Sequence, residues 1–146
     1  ANPIAHYTAD IEAAEVIAHD ALLIEIIDLV IDIYQALMHD KQSAVITFLE
    51  NGGKVMASHE RTNFFLDFMM LFQRDIIQTK LNQNHICYNK HHHLIEDICE
   101  KIDLSMANQH MEEMLALSKR MNYNINIPLA MNRLLMVLER GYNHAT

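Results

Sequence analysis

Apolar residues recur along nearly the whole chain at steps of three and four, the interval that returns a side chain to one face of a helix. No run alternates apolar and polar residues between turn formers, as a half-buried strand would. The pattern predicts an all-α fold, a compact bundle of six to seven helices. A weak first helix is expected over residues 8–18, capped by Thr8. Residues 20–38 follow as a strongly apolar helix, in which Glu25, Asp28 and Asp32 fall at steps of three and four as one narrow charged stripe. A membrane span is the competing reading, since these 19 residues would extend about 28 Å. Three carboxylates at mid-membrane and the lack of cationic flanks count against it. A helix buried on most sides is the better expectation.

The same periodicity places the other helices. Asp40 is expected to cap a short helix carrying Ala44, Val45, Phe48 and Leu49, closed by Gly52 and Gly53 in a left-handed turn. Ser58 or His59 opens a long helix to about residue 81, with Phe65, Phe68, Phe72 and Ile76 on one side. Residues 82–89 form a polar loop. A helix over about 90–102 buries Leu94, Ile95, Ile98 and Cys99. Asp103 or Ser105 caps the next, where Leu104, Ala107, Met111, Met114, Ser118 and Met121 share a face. In the last, Asn126 caps, Pro128 fits the first turn, and Met131, Leu135, Leu138 and Tyr142 form the apolar side. The helices at 20–38 and 59–81 are so apolar that they are either central in the bundle or partly covered by another subunit.

Composition narrows the options. A chain of 146 residues suits a single helical domain over residues 1–146, which would bury about 70% of its unfolded surface. At 51% apolar it carries enough material for a core. Net charge is −8, and the eleven Lys and Arg are scattered without a basic stripe, so no direct nucleic-acid contact is expected. Cys87 and Cys99 are too few for a disulfide scaffold. They read as small buried hydrophobes in a reducing cytoplasm. The ten Met suit irregular core gaps or a subunit interface equally well.

Candidate chemistry is sparse. His92, Glu96 and Cys99 fall at i, i+4 and i+7, and a three-ligand zinc or nickel site on that face is conceivable. Cys99 also fits the buried face, and a run of three His often starts a solvated helix, so no resident metal is expected. A ferritin-like di-metal centre lacks its paired Glu-x-x-His motifs. Cys87, or Ser58 beside His59, could be a nucleophile, but no glycine turn stands ready to hold an oxyanion. Glu25, Asp28 and Asp32 most simply face water. Neither a catalytic residue nor a cofactor is expected.

The C-terminal run Asn124-Ile-Asn-Ile-Pro-Leu-Ala-Met-Asn-Arg-Leu-Leu-Met-Val-Leu resembles the end of the delta-prime subunit family of the bacterial DNA polymerase III clamp loader. That family ends in Asn-x-Asn, a nearby Pro, Leu-Ala-Leu and a Leu-rich helix. Met-Met-Leu-Phe-Gln-Arg74-Asp75-Ile-Ile is similar to the family's Leu-Leu-Leu-Trp-x-Arg-Asp-Leu-Leu helix, about fifty residues upstream as here. Residues 26–53 look like the helix pair that opens the same domain. The likeness spans roughly residues 20–142. Phe72 and Gln73 stand where the family usually has Trp and a second aromatic, and Asn132 where it usually has Glu. Pro128 sits one position later than the family's commonest arrangement.

The resemblance implies the helical collar domain of a longer AAA+ subunit, with residues 1–19 as a lead-in helix. In such an assembly five collars form a ring that holds the subunits together while the sliding clamp is opened. The implied partners are the gamma/tau and delta subunits, in the cytoplasm. The chain has no Gly-x-x-x-x-Gly-Lys-Ser/Thr cradle, and three Gly could not build one, so it is not expected to be an enzyme by itself. Phe68, Phe72, Arg74 and Asp75 are the interface residues this reading names. The alternative is a free-standing bundle that binds a metal ion or small ligand through the His-rich helix near residues 91–99.

Overall fold

Helix boundaries follow the side chains that can satisfy the free backbone groups at each end. The computed structural model describes residues 21–39, 42–83 and 86–145. It contains six α-helices and no strand among those residues: α1 (Ala21–Met38), α2 (Ala44–Asn51), α3 (His59–Lys80), α4 (His92–Lys101), α5 (Leu104–Arg120) and α6 (Ile127–Asn143). Short 3-10 turns at Val55–Ala57 and Asn89–His91 lead into α3 and α4. The expected helix over 8–18, the lead-in over 1–19 and the Asp40 cap lie outside the described residues.

Ser58, Asp103 and Asn126 each accept a hydrogen bond from the backbone N–H three residues on, capping α3, α5 and α6. The cap of α2 is Ser43, whose hydroxyl accepts from Ile46 N and donates to Glu139 on α6. Glu139 also accepts from Val45 N at 2.8 Å, so a carboxylate from the last helix sits at the positive end of α2. At the far end of α3, Asn82 adopts φ 60°, a left-handed conformation that asparagine tolerates. Gln83 N then donates to Gln78 O and Asn82 N to Thr79 O, the paired closure of a Schellman motif.

The expected left-handed turn at Gly52 and Gly53 does not form, because neither glycine has positive φ. Gly52 matters for space instead. A Cβ there would lie 2.5 Å from Phe48 O and 2.9 Å from the Phe48 ring.

α3 is the spine of the bundle and packs against α1, α4 and α5; α1 also meets α2 and α6, and α5 meets α6. The buried apolar side chains form one cluster reaching from Leu23 to Tyr142. α1 contributes nine buried residues, so the bundle itself absorbs most of its apolar surface. Glu25, Asp28 and Asp32 are exposed, as the stripe implied. No described helix is long and apolar enough to cross a membrane.

Some faces shift from expectation. Leu49 is exposed and Leu94 and Cys99 are half-buried, while on α5 His110 and Leu117 join Ala107 and Met114 inside. The 82–89 segment is polar in sequence, yet it delivers Cys87 and Tyr88 into the core.

Candidate functional site

The four residues named as interface candidates lie at the centre of α3. Phe68, Phe72 and Asp75 have no exposed surface, which overturns them as contacts for a neighbouring subunit. Phe72 stacks on Tyr34 of α1 with centroids 4.2 Å apart and meets Tyr88 edge-on at 4.9 Å. The Tyr88 hydroxyl donates to Phe68 O at 3.0 Å. Gln73, one step along, accepts from the Tyr34 hydroxyl at 2.7 Å and donates through Nε2 to Ala107 O at 2.8 Å. One buried amide therefore ties α1, α3 and α5 together.

Asp75 anchors the loop that follows α3. Its carboxylate accepts from Cys87 N at 2.8 and 2.9 Å and from Tyr88 N at 2.8 Å. Burial pushes the carboxyl above its ordinary range, while the two backbone N–H groups and the neighbouring Arg74 pull it back. Arg74 is half-buried and donates from Nη2 to Cys87 Sγ at 2.9 Å. The Arg-Asp pair thus fastens the loop that follows α3. The signal available in sequence was the Cys-Tyr pair, which is out of place in a solvated loop.

The chemical candidates separate in space. Cys87 is held up to about 11 by burial and by the nearby Asp75 charge, so its thiol stays protonated near neutral pH and is a poor nucleophile. The Ser58 hydroxyl is occupied as a helix cap, and the His59 ring is bonded to Met121 O at 3.3 Å. His92 Nδ1 lies 3.0 Å from Asn89 O, His93 pairs with Glu96 at 3.9 Å, and Cys99 Sγ donates to Ile76 O. The face His92–Glu96–Cys99 is therefore not gathered. Among the described residues no group of three His, Cys, Asp or Glu could hold a metal ion. The acidic stripe lines an open cleft with Glu50 and Lys54, where Lys54 bonds Glu25 at 3.1 Å.

What remains for recognition is the surface. Large apolar side chains stand exposed at Ile24 on α1, Ile46 and Leu49 on α2, Leu115 on α5, and Leu129 and Met136 on α6. Between α5 and α6 runs a groove of about 360 Å³, floored by Leu117, Ala130 and Leu134 and rimmed by Met136, Arg120, Arg133 and Arg140. The cations that looked scattered in sequence are brought together here by helix packing, which a linear count cannot register. The part legible in sequence was the spacing within α6, where Leu129, Arg133, Met136 and Arg140 recur at four, three and four.

These features define an all-helical bundle with hydrogen-bonded polar groups in its interior and apolar and cationic groups exposed on its surface. No protein-family model matches the chain, and no curated protein or solved structure matches it.

Proposed function

We propose that this chain is a non-catalytic assembly domain of the DNA replication clamp loader, the collar domain of a delta-prime-like subunit. The observation that carries the reading is where the family-like motifs fall. The Arg74-Asp75 run lies on the central helix and fixes the loop after it, and the Asn126-to-Leu138 run is a capped helix that buries one face against the rest of the bundle. Residues of this kind specify a domain's architecture, which is what a resemblance without catalytic motifs would preserve. The absence of a phosphate cradle in the sequence agrees with a role in holding subunits together rather than in hydrolysis.

On this reading the contacts with gamma/tau and delta are made by exposed apolar positions, not by the α3 phenylalanines. The test is co-elution of the chain with the collar of a gamma/tau subunit and with delta on a sizing column. Association is expected, and Ile46→Ser with Leu49→Ser on α2, or Leu129→Ser with Met136→Ser on α6, should weaken it while helicity stays intact. Lack of association by the unaltered chain with either subunit refutes the assignment.

A further inference from the structure

Among the described residues, the groove between α5 and α6 differs in charge from the cleft along the acidic stripe, whose charged lining is mainly carboxylate. The chain carries a net charge of −8, yet three arginines converge on this one depression. Among the described residues no ion pair engages Arg120, Arg133 or Arg140. Arg133 and Arg140 are seven residues apart on α6, which separates them by about 10 Å along the axis. Met136 stands between them, half exposed, above an apolar floor. Two cations flanking an apolar contact, with a third cation across the groove, form a complement for one kind of surface.

We infer that this groove docks an acidic amphipathic helix of a partner protein, with carboxylates seven residues apart and an apolar side chain between them set against Met136. The apolar contact supplies affinity by leaving water, and the flanking charges set register and orientation. Arginine suits this task because its planar fork meets a carboxylate through two hydrogen bonds. A second copy of the chain is a poor occupant. Its acidic stripe has the seven-residue spacing at Glu25 and Asp32, but Asp28 occupies the middle, where burial against Met136 would strand a charge. A nucleic-acid strand fits less well too, since Glu113 lines the same groove and the chain as a whole repels polyanions. That the occupant is a protein rests on the assembly reading above.

The experiment uses the full chain and a fluorescein-labelled peptide of about 15 residues, long enough to turn helical on binding. The peptide carries two Glu seven positions apart with Leu between them. A second version has Lys for both Glu, and a single-stranded DNA oligonucleotide serves as competitor. Anisotropy should show the Glu peptide binding at least about tenfold tighter than the Lys peptide, with the preference weakened by salt. Arg133→Glu with Arg140→Glu should reverse the preference, and Met136→Ser should weaken binding of the Glu peptide; circular dichroism checks that each variant keeps its helices. Equal binding of the two peptides, or a preference that survives the charge reversal, overturns the inference. So does displacement of the peptide by a lower concentration of oligonucleotide, which would make the groove a polyanion site. Failure of the assembly reading is separable: the chain would then bind the Glu peptide but not co-elute with clamp-loader subunits.

Discussion

Asp75 shows how much one side chain can be asked to hold. It satisfies the backbone N–H groups of both Cys87 and Tyr88 inside the protein. Asp75→Ala leaves both donors buried without partners, at about 1–3 kcal/mol each, so a loss of about 2–6 kcal/mol is expected in urea unfolding. Asp75→Asn keeps one acceptor oxygen and should lose less. His110 works in the opposite sense, as a group kept neutral. Its ring is stacked on Tyr142 with no bonding partner for Nδ1 among the described residues, and burial lowers its pKa from 6.5 to about 4. As pH falls, the unfolded chain therefore takes up this proton first. Stability from His110 is complete above about pH 6.5, drains away between 6.5 and 4, and is flat below. That difference corresponds to at most about 3 kcal/mol. Urea midpoints measured through this range should fall for the native chain, and His110→Leu should flatten the slope by that share.

At the scale of elements, two adjacent glycines make contrasting demands. A methyl at Gly52 would collide with Phe48 backbone and ring, whereas one at Gly53 meets nothing within 4 Å. Gly52→Ala should destabilise by about 1–3 kcal/mol, as overpacking does. Gly53→Ala should be neutral or add up to about 1 kcal/mol by restricting the unfolded chain. The thermal midpoint of Gly52→Ala should fall, while that of Gly53→Ala should hold or rise. The caps at Ser58, Asp103 and Asn126 were readable because each precedes a periodic apolar run, and the bounds of α1, α3 and α5 fall within a residue or two of expectation. Ser43 caps α2 by a purely local bond from Ile46 N, whereas the Glu139 carboxylate at the same helix end comes from α6 and has no local signal in the sequence. Side-chain direction was harder than helix position. His110 looks polar in a list of residues, and only packing shows that it is held uncharged in the core.

The bundle as a whole is knitted by a polar thread through an apolar interior. Tyr34, Gln73 and the Ala107 carbonyl link three helices with two buried hydrogen bonds. Tyr34→Phe leaves the Gln73 oxygen without this donor and should cost about 1–3 kcal/mol. Replacing both ends, Tyr34→Phe with Gln73→Leu, should cost less than the two single changes added together, and a double-mutant cycle of unfolding free energies reads that coupling. The phenylalanines of α3 illustrate the limit of sequence at this scale. A helix with apolar residues on most sides can be central or can sit in an interface, and periodicity is the same in both cases. Here α1, α4 and α5 cover it. The arginine-rimmed groove was invisible for a related reason, since it exists only once α5 and α6 lie side by side.

Cys87 also makes the chain its own strain gauge. The thiol is 1% exposed and sits in the loop that Asp75 fastens to α3. A thiol-reactive dye can reach it only when that loop lifts away or the whole bundle opens. Labelling should therefore run at a rate set by the opening equilibrium, not by the reagent's intrinsic speed. If the loop opens by itself, Asp75→Asn will accelerate modification of Cys87 while leaving that of Cys99, on α4, little changed. If both thiols accelerate together, loop and bundle come apart as one unit.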